Sequence, residues 1–154
     1  MSLINRLRAF DIFADFSDNE LRQFATFVEE ATFSDGQVIV DDAHGGNSLY
    51  FLLAGKVQLV RKFNKANLNT TLAGNVVFGE VAFADQGPRS ATICAEGDAE
   101  IGIFAYDHFE VIKKQSPALG MKFLLQIMKT LAGKFRVVNK TLDGIARKCL
   151  GDVA

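Results

Sequence analysis

At 154 residues, 49% of them hydrophobic, the chain is long enough for one packed domain and too apolar for disorder. No run of 18 apolar residues occurs and the N-terminus shows no basic-then-apolar pattern, so the reading expects no membrane span and a cytoplasmic location. The net charge of -1 is unevenly spread: residues 1–112 carry 8 Lys/Arg against 16 Asp/Glu, and residues 113–154 carry 9 against 2, which suits a helix with a solvated basic face.

Residues 3–15 mix apolar and basic residues and predict a short helix. Ser17-Asp18-Asn19-Glu20 is a capping box that opens a second helix, with Leu21, Phe24, Ala25 and Val28 at helical spacing. Phe10, Phe13 and Phe16 are expected to pack on the body. The first 30 residues thus form a helical lead-in. Residues 31–105 form a second section in which glycines punctuate short apolar runs. The expected strands are Val38–Val40, Leu49–Leu53, Val57–Phe63, Ala91–Ala95 and Ile101–Ala105, the pattern of an antiparallel sandwich or barrel. Asp35-Gly36 predicts a hairpin turn, since both residues tolerate positive φ.

The most informative stretch is Val77-Phe78-Gly79-Glu80-Val81-Ala82-Phe83-Ala84-Asp85-Gln86-Gly87-Pro88-Arg89-Ser90-Ala91-Thr92. Its first half predicts a tight turn and a very short helix over Glu80–Ala84, whose opening N–H groups have no internal partner. Gly79 leaves room for a close approach to the backbone. Arg89 adds a permanent charge and a donor fork suited to phosphate oxygens. Glu80 would repel a phosphate but can accept from a sugar hydroxyl. Side by side, the two suggest a nucleotide.

This stretch resembles the phosphate-binding cassette of the cyclic nucleotide-binding domain family. The pattern Phe-Gly-Glu, aliphatic, Ala, then Pro-Arg-Ser-Ala stands here at 78–82 and 88–91, within a cassette spanning 78–92. Two further segments are similar to the same family: Phe13 to Leu21, and Leu49 through Gly55 to Val57. The resemblance implies a mainly β fold with flanking helices: an antiparallel β-barrel of jelly-roll type, short N-terminal helices and a long C-terminal helix. It also implies that Glu80 holds a ribose hydroxyl and Arg89 the phosphate. Phe78, Gly79, Val81, Ala82, Ser90 and Ala91 would complete the ligand shell, and Lys134 and Phe135 would lie near the base. Ser90 leaves cyclic AMP and cyclic GMP both open.

The section from 106 to 154 reads as helical. Tyr106–Lys114 predicts a short helix, and Ser116-Pro117 starts a long one over 117–149. Met121, Leu124, Met128, Leu131, Phe135, Val138, Leu142 and Ile145 recur at alternating spacings of 3 and 4, a seam suited to a second helix. A homodimer through this helix is therefore expected. Gly120, Gly133 and Gly144 interrupt it, as sites of close helix approach or of a hinge.

Cys94 and Cys149 are far apart and are expected to be free thiols. An enzyme on a cupin-like barrel would need a His/carboxylate metal set, which His44 and His108 do not supply. No metal, cofactor or catalytic residue is therefore expected. The favoured reading is a regulatory sensor for a cyclic purine nucleotide that signals to an unknown protein partner. The alternative is an effector-free dimerisation module. The family's DNA-binding members continue into a helix-turn-helix, and with the sequence ending at Ala154, sequence-specific DNA binding is not expected.

Overall fold

The computed structural model describes residues 1–63 and 66–151. A short helix α1 (Leu3–Arg8) and one 3-10 turn (Asp11–Phe13) precede α2 (Asp18–Ala25). The expected helix over 3–15 is broken at Ala9-Phe10, where extended backbone turns Phe10 into the core beside Phe51, 5.5 Å between ring centroids. The capping box is complete: Glu20 N donates to Ser17 Oγ and Ser17 N donates to Glu20 Oε2. Val28, expected on this helix, is instead the first residue of a strand. There Val28, Thr32 and Phe33 suit a strand, and the whole segment pairs antiparallel with Ala99 to Phe104.

The strands are β1 (Val28–Phe33), β2 (Val38–Val40), β3 (Leu49–Phe63), β4 (Ala66–Ala73), β5 (Val77–Phe78) and β6 (Thr92–Phe104). They form one antiparallel sheet in the order β1-β6-β3-β4, with β2 also on β6 and β5 on β3. The sheet is jelly-roll-like, and among the described residues β1 and β4 do not pair to close it into a barrel. Asp35-Gly36 joins two strands that both run along β6, so it bends the edge and closes no hairpin. Gly36 N and Gln37 O continue the ladder to Ala95 across that bend.

Gly55 was expected to separate two strands, yet it lies inside β3. The register with β6 shifts between Leu52 and Lys56, and Gly55 takes φ +84 there. A Cβ on Gly55 would sit 2.3 Å from the Asp98 carbonyl oxygen, so the bulge requires glycine. β4 was not anticipated: its residues face solvent almost throughout, and no apolar alternation marks it.

Two cores result. One fills the sheet's interior with Val57, Ile93, Ala95, Ala99 and Ile101. The other is aromatic and joins the N-terminal helices, the sheet and the C-terminal helices around Phe13, Phe24, Phe83, Phe104, Phe109 and Phe123. After α3 (Glu80–Asp85), the chain ends in α4 (Tyr106–Gln115) and α5 (Pro117–Leu150). Ser116 begins α5 without a side-chain cap bond, its hydroxyl accepting from Gln23 Nε2 instead.

One face of α5 is anchored: Leu119, Phe123 and Ile127 are buried. Gly120 packs against α4, where a Cβ would touch Lys113 at 3.4 Å, while Gly133 and Gly144 face open space. Leu131, expected in the outward seam, packs against the chain's own aromatic core. The rest of the seam is exposed, with Phe135 at 65%, Val138 at 53%, Leu142 at 57% and Ile145 at 53% of their accessible surface.

Candidate functional site

The cassette folds around Gly79. It adopts φ +83 at the start of α3, a conformation that suits glycine. A side chain there would also collide, since a Cβ would lie 2.8 Å from Arg89 Nη1 and 2.9 Å from the Ser48 oxygen. The space that a side chain at position 79 would need is thus taken by the arginine and the Ser48 carbonyl.

Arg89 is only 7% exposed. Its Nη1 donates to Ser48 O at 3.1 Å and Gly79 O at 3.3 Å, and its Nη2 donates to Ser48 O at 3.1 Å. The guanidinium lies over the Tyr50 ring, 5.4 Å from its centroid, and Tyr50 in turn stacks on Phe78. Burial lowers the Arg89 pKa from its ordinary value, opposed by the negative fields of Tyr50 and Glu80. The Nε atom is buried without a hydrogen-bond partner among the described residues. A buried donor left unpaired is costly, and an anion would satisfy it.

Glu80, also 7% exposed, faces the same cavity. Lys134 reaches down from α5 and donates to Glu80 Oε1 at 2.6 Å and to the Val77 carbonyl at 3.2 Å. The sequence placed Lys134 near the base of a ligand, whereas the structure joins it to the carboxylate expected to hold a ribose. Phe135 lines the cavity but is largely exposed. Phe78 and Ala82 are buried beneath the cassette, Ala91 is buried at its end, and Val81 and Ser90 are exposed. The cavity measures about 1190 Å³, and Gly79 to Ala82, Arg89 to Ala91 and α5 residues from Gln126 to Val138 line it.

Sequence reasoning missed Ser48 and Tyr50, which hold the arginine, and Asn47, whose Nδ2 donates to Gln86 Oε1 at 2.6 Å and ties the preceding loop to the cassette. It also missed the role of Phe83. On α3 this residue meets Phe104, Phe109 and Phe123 at centroid distances of 5.9, 5.7 and 5.9 Å, linking the cassette to the helices that follow.

Cys94 and Cys149 are free thiols. Among the described residues no cluster of three or more His, Cys, Asp or Glu could hold a metal, and no helix is long and apolar enough to cross a membrane.

The family described as cyclic nucleotide-binding domain matches residues 30–116. The human potassium/sodium hyperpolarization-activated cyclic nucleotide-gated channel 4 is 26% identical over 112 residues, covering 73% of this chain and 9% of the channel. A cAMP-dependent protein kinase regulatory subunit from Yarrowia lipolytica is 23% identical, covering 68% of this chain and 28% of that protein. The chain therefore spans less than a third of the length of these curated relatives. Among solved structures, a cyclic nucleotide-binding domain from Methylobacillus flagellatus superposes with a TM-score of 0.81 at 23% identity, covering 99% of this chain and 85% of that one. The Thermus thermophilus catabolite activator protein gives 0.77 at 22% identity, covering 88% and 62%. At such identities these two structures show likeness of fold. With the cassette, the fold and the family match in agreement, the chain belongs to the cyclic nucleotide-binding domain family.

Proposed function

We propose that this chain is a non-catalytic sensor that binds a cyclic purine nucleotide between the cassette and α5. Arg89 and Ser90 hold the cyclic phosphate beside the backbone of Gly79 to Ala82, Glu80 accepts from the ribose 2′-hydroxyl, and the base extends towards α5. The observation that carries this reading is Arg89: a buried guanidinium, fixed by Ser48 and Tyr50, whose Nε has no partner among the described residues, on the wall of a cavity that also holds a buried carboxylate. Glu80 has two oxygens, and among the described residues Lys134 bonds to one of them, which leaves the other to accept from a sugar.

Output follows from the same residue pair. Lys134 ties α5 to the cassette, and a nucleotide that touches both elements favours one helix position over another. The exposed seam of α5 supports a homodimer, through which that movement is passed to a partner protein. The Glu80–Lys134 pair also suits a second reading, in which the lysine replaces a ligand and the fold serves dimerisation alone.

Calorimetry with cyclic AMP and cyclic GMP separates the two readings. The sensor binds one nucleotide per chain, and Arg89→Ala weakens it by roughly ten- to a hundredfold through loss of a charge-assisted hydrogen bond. No heat and no thermal stabilisation at millimolar nucleotide would leave the dimerisation reading.

A further inference from the structure

We infer that the distal half of α5 docks an acidic segment of a partner protein along Arg136, Lys140 and Arg147. The inference goes beyond the nucleotide-binding reading: it names the chemistry of a partner, and the surface stands whether or not a nucleotide binds.

From Ala132 to Leu150 every residue of α5 is exposed. At 1.5 Å per residue, roughly 28 Å of helix stands clear of the body. Cations recur along one side of α5 at Lys122, Lys129, Arg136, Lys140 and Arg147. Their steps keep them within an arc of about 40° around the helix. The exposed seam of Phe135, Val138, Leu142 and Ile145 lies on the other side, so a dimer through it leaves the cations facing outward.

The chain itself shows what this row binds. Lys122 Nζ donates to both carboxylate oxygens of Glu20, at 3.0 and 2.8 Å. Lys129 Nζ lies 3.8 Å from Asp15 Oδ2. Both carboxylates belong to the acidic stretch Asp15-Phe16-Ser17-Asp18-Asn19-Glu20, which lies against the first half of α5. Past Lys129 the helix leaves the body and the row continues. Arg136, Lys140 and Arg147 make no ion pair among the described residues. α5 carries one carboxylate, Asp143, so the helix does not neutralise the row from within.

Charge decides the class of partner. The three free cations stand about 6 and 10.5 Å apart along the helix axis, which matches carboxylates at the same steps on a second helix. An extended polyanion fits less well. The net charge is -1, and residues 1–112 carry 8 Lys/Arg against 16 Asp/Glu. Nucleic acid or an anionic membrane long enough to cover the row therefore also meets a repelling body. A short acidic segment meets the free helix alone.

The probe is an alanine-rich helical peptide with glutamates at i, i+4 and i+11, labelled for fluorescence anisotropy and titrated with the full chain. Wild type should bind it at low salt and release it as salt rises. The same peptide with glutamine at those positions should not bind. A triple variant, Arg136→Gln with Lys140→Gln and Arg147→Gln, should bind the glutamate peptide at least about fivefold more weakly, the combined effect of three exposed ion pairs. Its far-UV circular dichroism should match wild type, since all three side chains are exposed.

No binding by wild type, or the same affinity in the triple variant, overturns the assignment. Tighter binding of a short DNA duplex or of phosphatidylserine vesicles makes the row a polyanion surface and also overturns it. If neither chain binds the peptide and the triple variant self-associates less in sedimentation, the occupant is the acidic body of a second copy, and the partner assignment falls. Each of these outcomes leaves the nucleotide site standing, because calorimetry tests that site separately.

Discussion

The bond between Lys134 and Glu80 is a polar contact by which the long helix holds the cassette, beside the packing of Phe83 on Phe123, and Lys134→Ala measures it. Glu80 is 7% exposed, whereas the Lys134 side chain is half exposed, so the pair is neither a surface ion pair nor a fully buried one. A charge-assisted hydrogen bond contributes about 1.5–3 kcal/mol, and solvent screening at the lysine end reduces this. Leaving a buried carboxylate without its partner adds a cost in the same direction. The expected loss is about 1–2 kcal/mol, or roughly 3–8 °C in Tm for a chain of this size. Urea unfolding at one fixed protein concentration gives the value, because association would otherwise shift it. In an Glu80→Gln background the same substitution should cost about 1 kcal/mol less, since the neutral amide no longer needs a cation. A change within about 0.3 kcal/mol of zero for Lys134→Ala, or the same loss in both backgrounds, would refute an energetic link between α5 and the cassette through this pair.

The exposed seam gives a second test. Leu142→Glu, at a position 57% exposed in the single chain, should convert a dimer to monomers by analytical ultracentrifugation without unfolding the chain. Cys149 lies four residues beyond Ile145, the next position of that seam, and its thiol is exposed. In a parallel dimer the two Cys149 thiols face each other, so oxidation with diamide should yield a cross-linked dimer that Leu142→Glu abolishes. A wild-type monomer at tens of micromolar would contradict the seam. The third test uses pH. The Lys122 ammonium, then the Ser17 backbone N–H, hold the Glu20 carboxyl below its ordinary value. A depressed folded pKa stabilises above the ordinary carboxylate range, and that contribution is lost as pH falls through the lower folded value. Glu20→Gln should therefore cost roughly 0.5–1 kcal/mol near neutral pH, allowing for screening at this partly exposed site, and converge with wild type in acid. A gap that persists at about pH 3 would place the cost in packing and not in charge.

What was legible in the sequence was local. The cassette is one contiguous stretch, so its turn, short helix and arginine could be read from its residues together with their resemblance to the family's pattern. The capping box at Ser17 and the start of α5 at Pro117 are equally short-range signals. The partners of the site residues were not legible, because they lie far away in the chain. Ser48 is 41 residues from Arg89, and Lys134 is 54 from Glu80. Their meeting depends on the long β3–β6 ladder and on Phe123 seating α5 against Phe24 and Phe104. Gly55 misled for a different reason. A glycine inside a run of apolar residues looks like a strand end, and only the carbonyl of Asp98 reveals it as a bulge. Leu131 fitted the seam by period, but a helix of 34 residues lying on a body for part of its length turns some seam positions inward.

The most direct test of a sensor that couples cassette to helix is amide hydrogen exchange with and without the cyclic nucleotide. The account predicts that nucleotide slows exchange in residues 78–92 and also in residues 128–140 of α5, because the ligand touches both elements. Slowing confined to the cassette would mean a binder without a switch. No change in either segment at saturating nucleotide would contradict the account at its root.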